Sequence, residues 1–201
     1  MPLIRNNAGA SPPVDPDARR ALSSGAADER WAAARRLTGP GDVGALSAAL
    51  EREADARVRE AIFTSLARIG DTASARAVAS YIRSDDAGLR TAALDALRAM
   101  PGPVAEALPD LLADPDSDVR VLACDLAREL ADAQATTLLC GLIERESEPN
   151  VVGAAVEVLA EIGGPDALAV LERGAKRWAH EPFLAFSFRT ASQRIGADRL
   201  G

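Results

Sequence analysis

The sequence has 201 residues, a net charge of −7, and 48% apolar but only 3% aromatic residues. A core with so few aromatic side chains must be built from Ala, Leu, Val and Ile, which suits closely packed helices. The acidic balance argues against a binder of nucleic acid or of an anionic membrane surface, and no apolar run is long enough to cross a bilayer.

The first residues, 1–14, read as an irregular arm, because Asn6-Asn7 and Ser11-Pro12-Pro13 oppose regular structure. This segment lacks the apolar core of a signal peptide, so we expect a cytoplasmic protein. Asp15-Pro16-Asp17 is typical of a helix start, and we predict a short capping helix within residues 15–27.

A unit of two helices joined by a short turn then recurs along the chain. Four arginines hold the same place in successive copies, with gaps of 29, 31 and 30 residues: Arg30, Arg59, Arg90 and Arg120. The predicted repeat domain, residues 28–201, comprises units near 28–54, 55–85, 86–115, 116–147 and 148–180 and a cap at 181–196. Two helices per period of about thirty residues predict an α-solenoid.

The most regular copy is DPDSDVRVLACDLAREL, at 114–130. Its apolar residues recur at spacings of three and four, which predicts one buried helical face. We expect Ser117 or Asp118 to cap this helix. Among the rare aromatic residues, Trp31 is predicted to lie in the core, and Phe183, Phe186 and Phe188 to close the core at the end of the array.

The copies share the pattern V-R-x-x-A-x-x-A/S-L-x-x-I-G, which is clearest from Val58 to Gly70. This pattern resembles HEAT repeats, and more narrowly the bacterial PBS-lyase HEAT-like repeat, over residues 28–196. The resemblance implies an all-α superhelix of about five helix pairs plus a terminal capping helix. It also implies an interaction scaffold whose second helices line the concave face. Val152 departs from the pattern, since arginine is usual there.

Aspartates accompany the repeated arginines in three units, as Asp55 with Arg59, Asp86 with Arg90 and Asp116 with Arg120. One interpretation is a ladder of charges that binds a ligand. We favour the other, in which each arginine binds an aspartate of its own or the neighbouring unit and ties the stack together. Such pairs are costly to break singly if they are partly buried.

Polar residues off the apolar stripes of the second helices are the predicted partner-binding residues. They are Glu51, Arg76, Ser80, Tyr81, Arg83, Glu106, Asp110, Thr137, Glu144, Lys176 and Trp178. Their mixed charge suits a protein or peptide better than a phosphate backbone. Tyr81 and Trp178 are either anchors for that partner or ordinary packing residues.

No pattern of catalytic or ligand-binding residues emerges. Cys124 and Cys140 read as structural thiols, His180 is the only histidine, and the glycine-rich stretches break helices without forming a phosphate loop. We therefore expect no enzyme activity, no cofactor and no metal site.

The leading hypothesis is a non-enzymatic protein–protein interaction scaffold or adaptor. The resemblance extends it to an accessory role in a bacterial signalling or chemotaxis-type assembly. One alternative that the resemblance implies is a chromophore-binding subunit similar to phycobilin lyases. Another is a nucleic-acid enzyme of the HEAT-like DNA glycosylase type, against which the net charge of −7 argues.

Overall fold

The computed structural model describes residues 15–197, and within this range all regular secondary structure is helical. The predicted arm, 1–14, lies outside the described residues. The α-helices are α1 (Pro16–Ser24), α2 (Ala27–Arg36), α3 (Val43–Leu50), α4 (Ala56–Ile69), α5 (Thr72–Ala79), α6 (Ala87–Arg98), α7 (Pro101–Leu111), α8 (Ser117–Leu126), α9 (Asp132–Arg145), α10 (Pro149–Ile162), α11 (Leu168–Arg177) and α12 (Pro182–Ala197).

Aspartates fix the starts of many of these helices. Asp55, Asp71, Asp86 and Asp116 each stand directly before a helix and accept hydrogen bonds from its first free backbone amides. For α8, the Asp116 carboxylate accepts from the backbone N–H of Asp118 at 2.9 Å. The cap is therefore Asp116, one residue before Ser117 and two before Asp118.

The residues up to Met100 form one compact unit. Helices α2, α4 and α6, the first helices of their repeats, pack side by side, and α3 and α5, which are second helices, pack together beside them. Side chains from both layers meet in a core of mainly aliphatic residues, including Leu37, Leu46, Ile62 and Leu66. The α1 helix packs against α2 and α3, which extends the unit at its N-terminal side.

The residues from Pro101 onward form a second compact unit. Here α8, α10 and α12 are the first helices and pack in that order, while α9 and α11 pack against each other. Leu126, Leu139, Leu159 and Phe188 are fully buried in its core. The alternation of first and second helices agrees with the all-α, HEAT-like solenoid class that the sequence predicts.

Two predictions about aromatic burial are wrong. Trp31 is 37% exposed instead of buried, because it lies on the outer side of α2, where the Arg35 guanidinium covers its ring at 4.5 Å from the centroid. Of the three phenylalanines of α12, only Phe188 enters the core. Phe183 and Phe186 are 73% and 61% exposed, since they lie on the opposite side of the helix.

No helix in residues 15–197 combines the length and the apolar character that crossing a bilayer requires.

Candidate partner-binding surfaces

The repeated arginines occupy the fourth position of each helix that carries them, and each donates to a backbone carbonyl of the loop before its own helix. Arg30, Arg59 and Arg120 also contact a carboxylate in the loop before the next repeat. Arg30 of α2 makes a two-pronged contact with Glu53, with Nε–Oε2 and Nη2–Oε1 distances of 2.7 and 2.8 Å. Glu53 also accepts hydrogen bonds from the backbone amides of Ala54 and Asp55. Together these donors, Arg30 first, lower the pKa of Glu53 to about 2.

The same arrangement recurs in the second unit. The Arg120 guanidinium donates to both carboxylate oxygens of Glu146, at 2.8 and 3.1 Å, and to the backbone carbonyl of Asp114 at 2.7 Å. Burial alone would raise the pKa of Glu146. The hydrogen bonds from Arg120 and from two backbone amides outweigh it, so the pKa lies below its usual range.

Of the two middle arginines, Arg59 makes the predicted contact with an aspartate of the neighbouring repeat, and Arg90 binds a backbone carbonyl. Arg59 donates to the backbone carbonyl of Glu53 at 2.7 Å and lies 3.5 Å from the carboxylate of Asp86 in the next repeat. Arg90 donates to the carbonyl of Ser84 at 2.6 Å. Asp55 and Asp116 cap helices, and the carboxylates that Arg30 and Arg120 bind are those of Glu53 and Glu146.

Five of the predicted binding residues lie on α3, α5 and the turn after α5, all in the first unit. We call them the Tyr81 surface: Glu51, Arg76, Ser80, Tyr81 and Arg83. Arg76, Ser80 and Arg83 follow one another at spacings of four and three, so they form one exposed stripe. Glu51 directly follows α3, which packs against α5. This surface therefore combines one carboxylate, two guanidinium groups and an aromatic ring.

Tyr81 is the half-buried centre of this surface. Its ring meets the buried ring of Phe63 edge-on, with centroids 5.6 Å apart and planes 86° apart. Burial raises the pKa of the Tyr81 hydroxyl, and the nearby Glu51 carboxylate raises it further, while Arg59 opposes the effect. The ring is thus held in place from one side, and the other side remains accessible.

The remaining predicted residues belong to the second unit. Glu106 and Asp110 are exposed on α7, Thr137 and Glu144 on α9, and Lys176 on α11. The Thr137 hydroxyl donates to a carbonyl of its own helix. Glu144 forms an exposed ion pair with Arg173 of α11. These residues therefore offer a second charged surface, which includes acids, a lysine and an already paired arginine.

Trp178 does not share that exposure. It is only 6% exposed, with the Arg177 guanidinium 5.3 Å from its ring centroid and the His180 ring stacked on it. The buried indole is not accessible to a binding partner. We therefore leave Trp178 out of the proposed surfaces.

Two grooves lie between first helices, where the sequence analysis predicted no site. One, of about 880 Å³, separates α4 from α6 and is floored by Phe63 and by alanines such as Ala67, Ala92 and Ala96. The other, of about 710 Å³, lies along α8, α10 and α12. The sequence does contain a signal for these grooves. The helices that line them have small residues, such as alanine and glycine, at positions where larger side chains would fill the space.

The titratable side chains offer little for catalysis. Burial raises the pKa of the Cys124 thiol to about 12 and that of the half-buried Cys140 to about 11, so neither is an activated nucleophile near neutral pH. Among residues 15–197, no group of three or more His, Cys, Asp or Glu side chains is arranged to hold a metal ion.

A family comparison identifies the repeats. The model of HEAT repeats matches residues 43–115 and 105–181, which together exceed half of the chain. The chain belongs to the HEAT-repeat family. No curated protein matched the sequence.

Solved structures of other repeat proteins are similar to this chain at low identity. The HEAT-like repeats protein of Thermococcus onnurineus NA1 is 17% identical, with a TM-score of 0.46 over 90% of this chain and 92% of its own. A designed armadillo repeat protein in complex with the peptide (KR)4 is 16% identical, with a TM-score of 0.46 over 90% and 98%. The complex of CpcE and CpcF of phycocyanin lyase from Nostoc sp. PCC7120 is 18% identical, with a TM-score of 0.40 over 97% and 100%.

Proposed function

We propose that this HEAT-repeat protein is a non-enzymatic scaffold that binds a protein or peptide partner through the Tyr81 surface, as an accessory part of a larger assembly. The observation that carries the proposal is the position of Tyr81, whose ring rests edge-on against buried Phe63 while charged residues surround it. An aromatic side chain fixed before binding loses little conformational entropy on contact, which is typical of the few residues that dominate an interface.

The charges around Tyr81 favour a particular partner chemistry. Among the five residues of the Tyr81 surface, Arg76 and Arg83 outnumber Glu51, although the whole chain carries −7. Guanidinium groups bind carboxylates through two parallel hydrogen bonds. A segment that combines an apolar side chain, placed over Tyr81, with flanking acidic residues is therefore the occupant that we propose.

Site-specific photo-crosslinking in the native cytoplasm tests this proposal. A photoreactive amino acid at Ser80 should capture a discrete partner, and the same probe at Arg20, on the exposed side of α1, should not. Tyr81→Ala and Arg83→Glu introduced beside the Ser80 probe should each abolish the captured product, while Arg20→Glu should leave it unchanged. Capture that persists in both variants would show that the Tyr81 surface is not the binding site.

The alternatives gain less support. Attachment of a bilin to this chain would need an exposed thiol with a depressed pKa, whereas burial raises the pKa of Cys124 to about 12. A nucleic-acid enzyme would need a basic groove, whereas the groove between α4 and α6 is lined by Glu60 and Asp95 as well as Arg68. Both readings therefore rank below the scaffold.

A further inference from the structure

Helix α12 presents apolar side chains on two opposite sides. Leu184, Phe188, Ala191 and Ile195 recur at spacings of four and three and are buried against α10 and α11. On the other side, Phe183 and Phe186 project from the first two turns of the helix and remain largely exposed. A surface helix needs only one apolar side to pack into its own domain. The second apolar side is therefore unexplained by the fold of this unit.

The exposed phenylalanines border the groove along α8, α10 and α12. The Phe183 ring lies beside Gly153 of α10, where the absence of a side chain leaves the groove open. Large exposed aromatic residues beside a groove are characteristic of interaction sites, because burying them releases apolar surface from water. We call the side of α12 that contains Phe183, Phe186, Thr190 and Arg194 the outer face of α12.

Opposite charges stand at the two ends of this outer face. Glu181 directly precedes the helix, and Arg194 lies in its last turn. They are thirteen residues apart, which corresponds to about 20 Å along the axis at about 1.5 Å per residue. Among residues 15–197, neither side chain has an opposite charge within ion-pair distance. Arg194 does lie near Glu161 of α10, whose pKa is lowered chiefly by Arg128 and further by Arg194. Between them, Phe183, Phe186 and Thr190 carry no charge.

We propose that the outer face of α12 binds the same face of a second copy of this protein, with the two helices antiparallel. A twofold axis near the middle of α12 brings Glu181 of each copy next to Arg194 of the other. Phe186 stands one or two residues from that axis, so the two Phe186 rings come within about 5 Å of each other along the helices. The result is an aromatic centre flanked by two ion pairs, as in many symmetric dimers.

The charge pattern selects this occupant over an unrelated partner. A patch that is acidic at one end, apolar in the middle and basic at the other end is complementary to itself after a twofold rotation. A patch adapted to an unrelated basic or acidic partner needs only one sign of charge. This inference is independent of the Tyr81 surface, which lies in the other unit, so each proposal can fail without the other.

Charge reversal provides the decisive experiment, with analytical ultracentrifugation of the full-length protein across a wide concentration range. We expect the wild type to dimerise with rising concentration. Phe186→Ala, Glu181→Arg and Arg194→Glu should each weaken dimerisation by at least about tenfold. The double variant Glu181→Arg/Arg194→Glu should restore it, since both interchain pairs re-form with reversed sign. Glu172→Arg, at an exposed position of α11, is the matched charge-reversal control and should dimerise as the wild type does.

The double variant also separates this proposal from a purely structural role. Within one helix, an acid at the N-terminal end and a base at the C-terminal end are favourable to the helix dipole, so reversing both should harm the helix more than reversing one. Recovery of the dimer in the double variant, with circular dichroism confirming folded protein, supports pairing between copies. A wild type that is monomeric at every concentration, or a double variant that dimerises no better than the single variants, would overturn it.

Discussion

The ion pair between Arg30 and Glu53 allows a quantitative prediction, because Glu53 is nearly inaccessible, with 4% of its side chain exposed. Its pKa of about 2 lies well below the ordinary glutamate value of 4.5. Each pKa unit corresponds to about 1.36 kcal/mol, so the folded state favours the charged carboxylate by about 3 kcal/mol. The Glu53→Gln variant resembles the protonated side chain and should lose about this amount of stability at neutral pH.

The loss should depend on pH with a definite sign. Because folding lowers the pKa of Glu53, its stabilising contribution is fully present above pH 4.5 and disappears as the pH falls towards 2. The Glu53→Gln variant lacks this titration. The difference in the free energy of unfolding between the two proteins should therefore be largest above pH 5 and should shrink steadily below it.

Urea titrations followed by far-ultraviolet circular dichroism, at a series of pH values, measure this difference. Glu144→Gln is the matched control, since Glu144 is also paired with an arginine but both side chains are about half exposed or more. Exposed pairs contribute less than about 1 kcal/mol, so this variant should unfold much as the wild type does. If Glu53→Gln were no less stable than Glu144→Gln at neutral pH, the reasoning from the low pKa of Glu53 would be refuted.

Two further predictions concern the second unit. Gly174→Ala should destabilise the protein by about 1–3 kcal/mol in urea titrations, because the added Cβ would overlap the ring of buried Phe188. Gly44→Ala is its control, since a Cβ there meets nothing within 4 Å, and it should stabilise the protein by less than about 1 kcal/mol. In a Cys140→Ser background, Cys124 should react with a maleimide only as fast as the protein unfolds, because this thiol is buried and its pKa is about 12. Mass spectrometry measures the labelling, and rapid labelling of the folded protein would contradict the prediction.

The sequence determined the repeat architecture. The thirty-residue spacing of Arg30, Arg59, Arg90 and Arg120 predicted the units, and apolar residues three and four positions apart predicted which side of each helix is buried. These are local properties, because helix geometry and capping depend on residues within one or two turns of each other. The helix that starts after Asp55 and the left-handed Gly70 that ends it follow from that local chemistry.

Only the tertiary structure decided which side chains meet across repeats. Trp31 is exposed where burial was expected, Trp178 is buried where the sequence left both environments open, and Phe186 is exposed while Phe188, two residues later, is buried. Likewise, the spacing of Arg30 did not reveal that its guanidinium binds Glu53. Periodicity fixes the direction in which a side chain leaves its own helix. How units distant in sequence pack together decides whether another helix buries that side chain. The same packing decides which carboxylate lies within hydrogen-bonding distance of a given arginine.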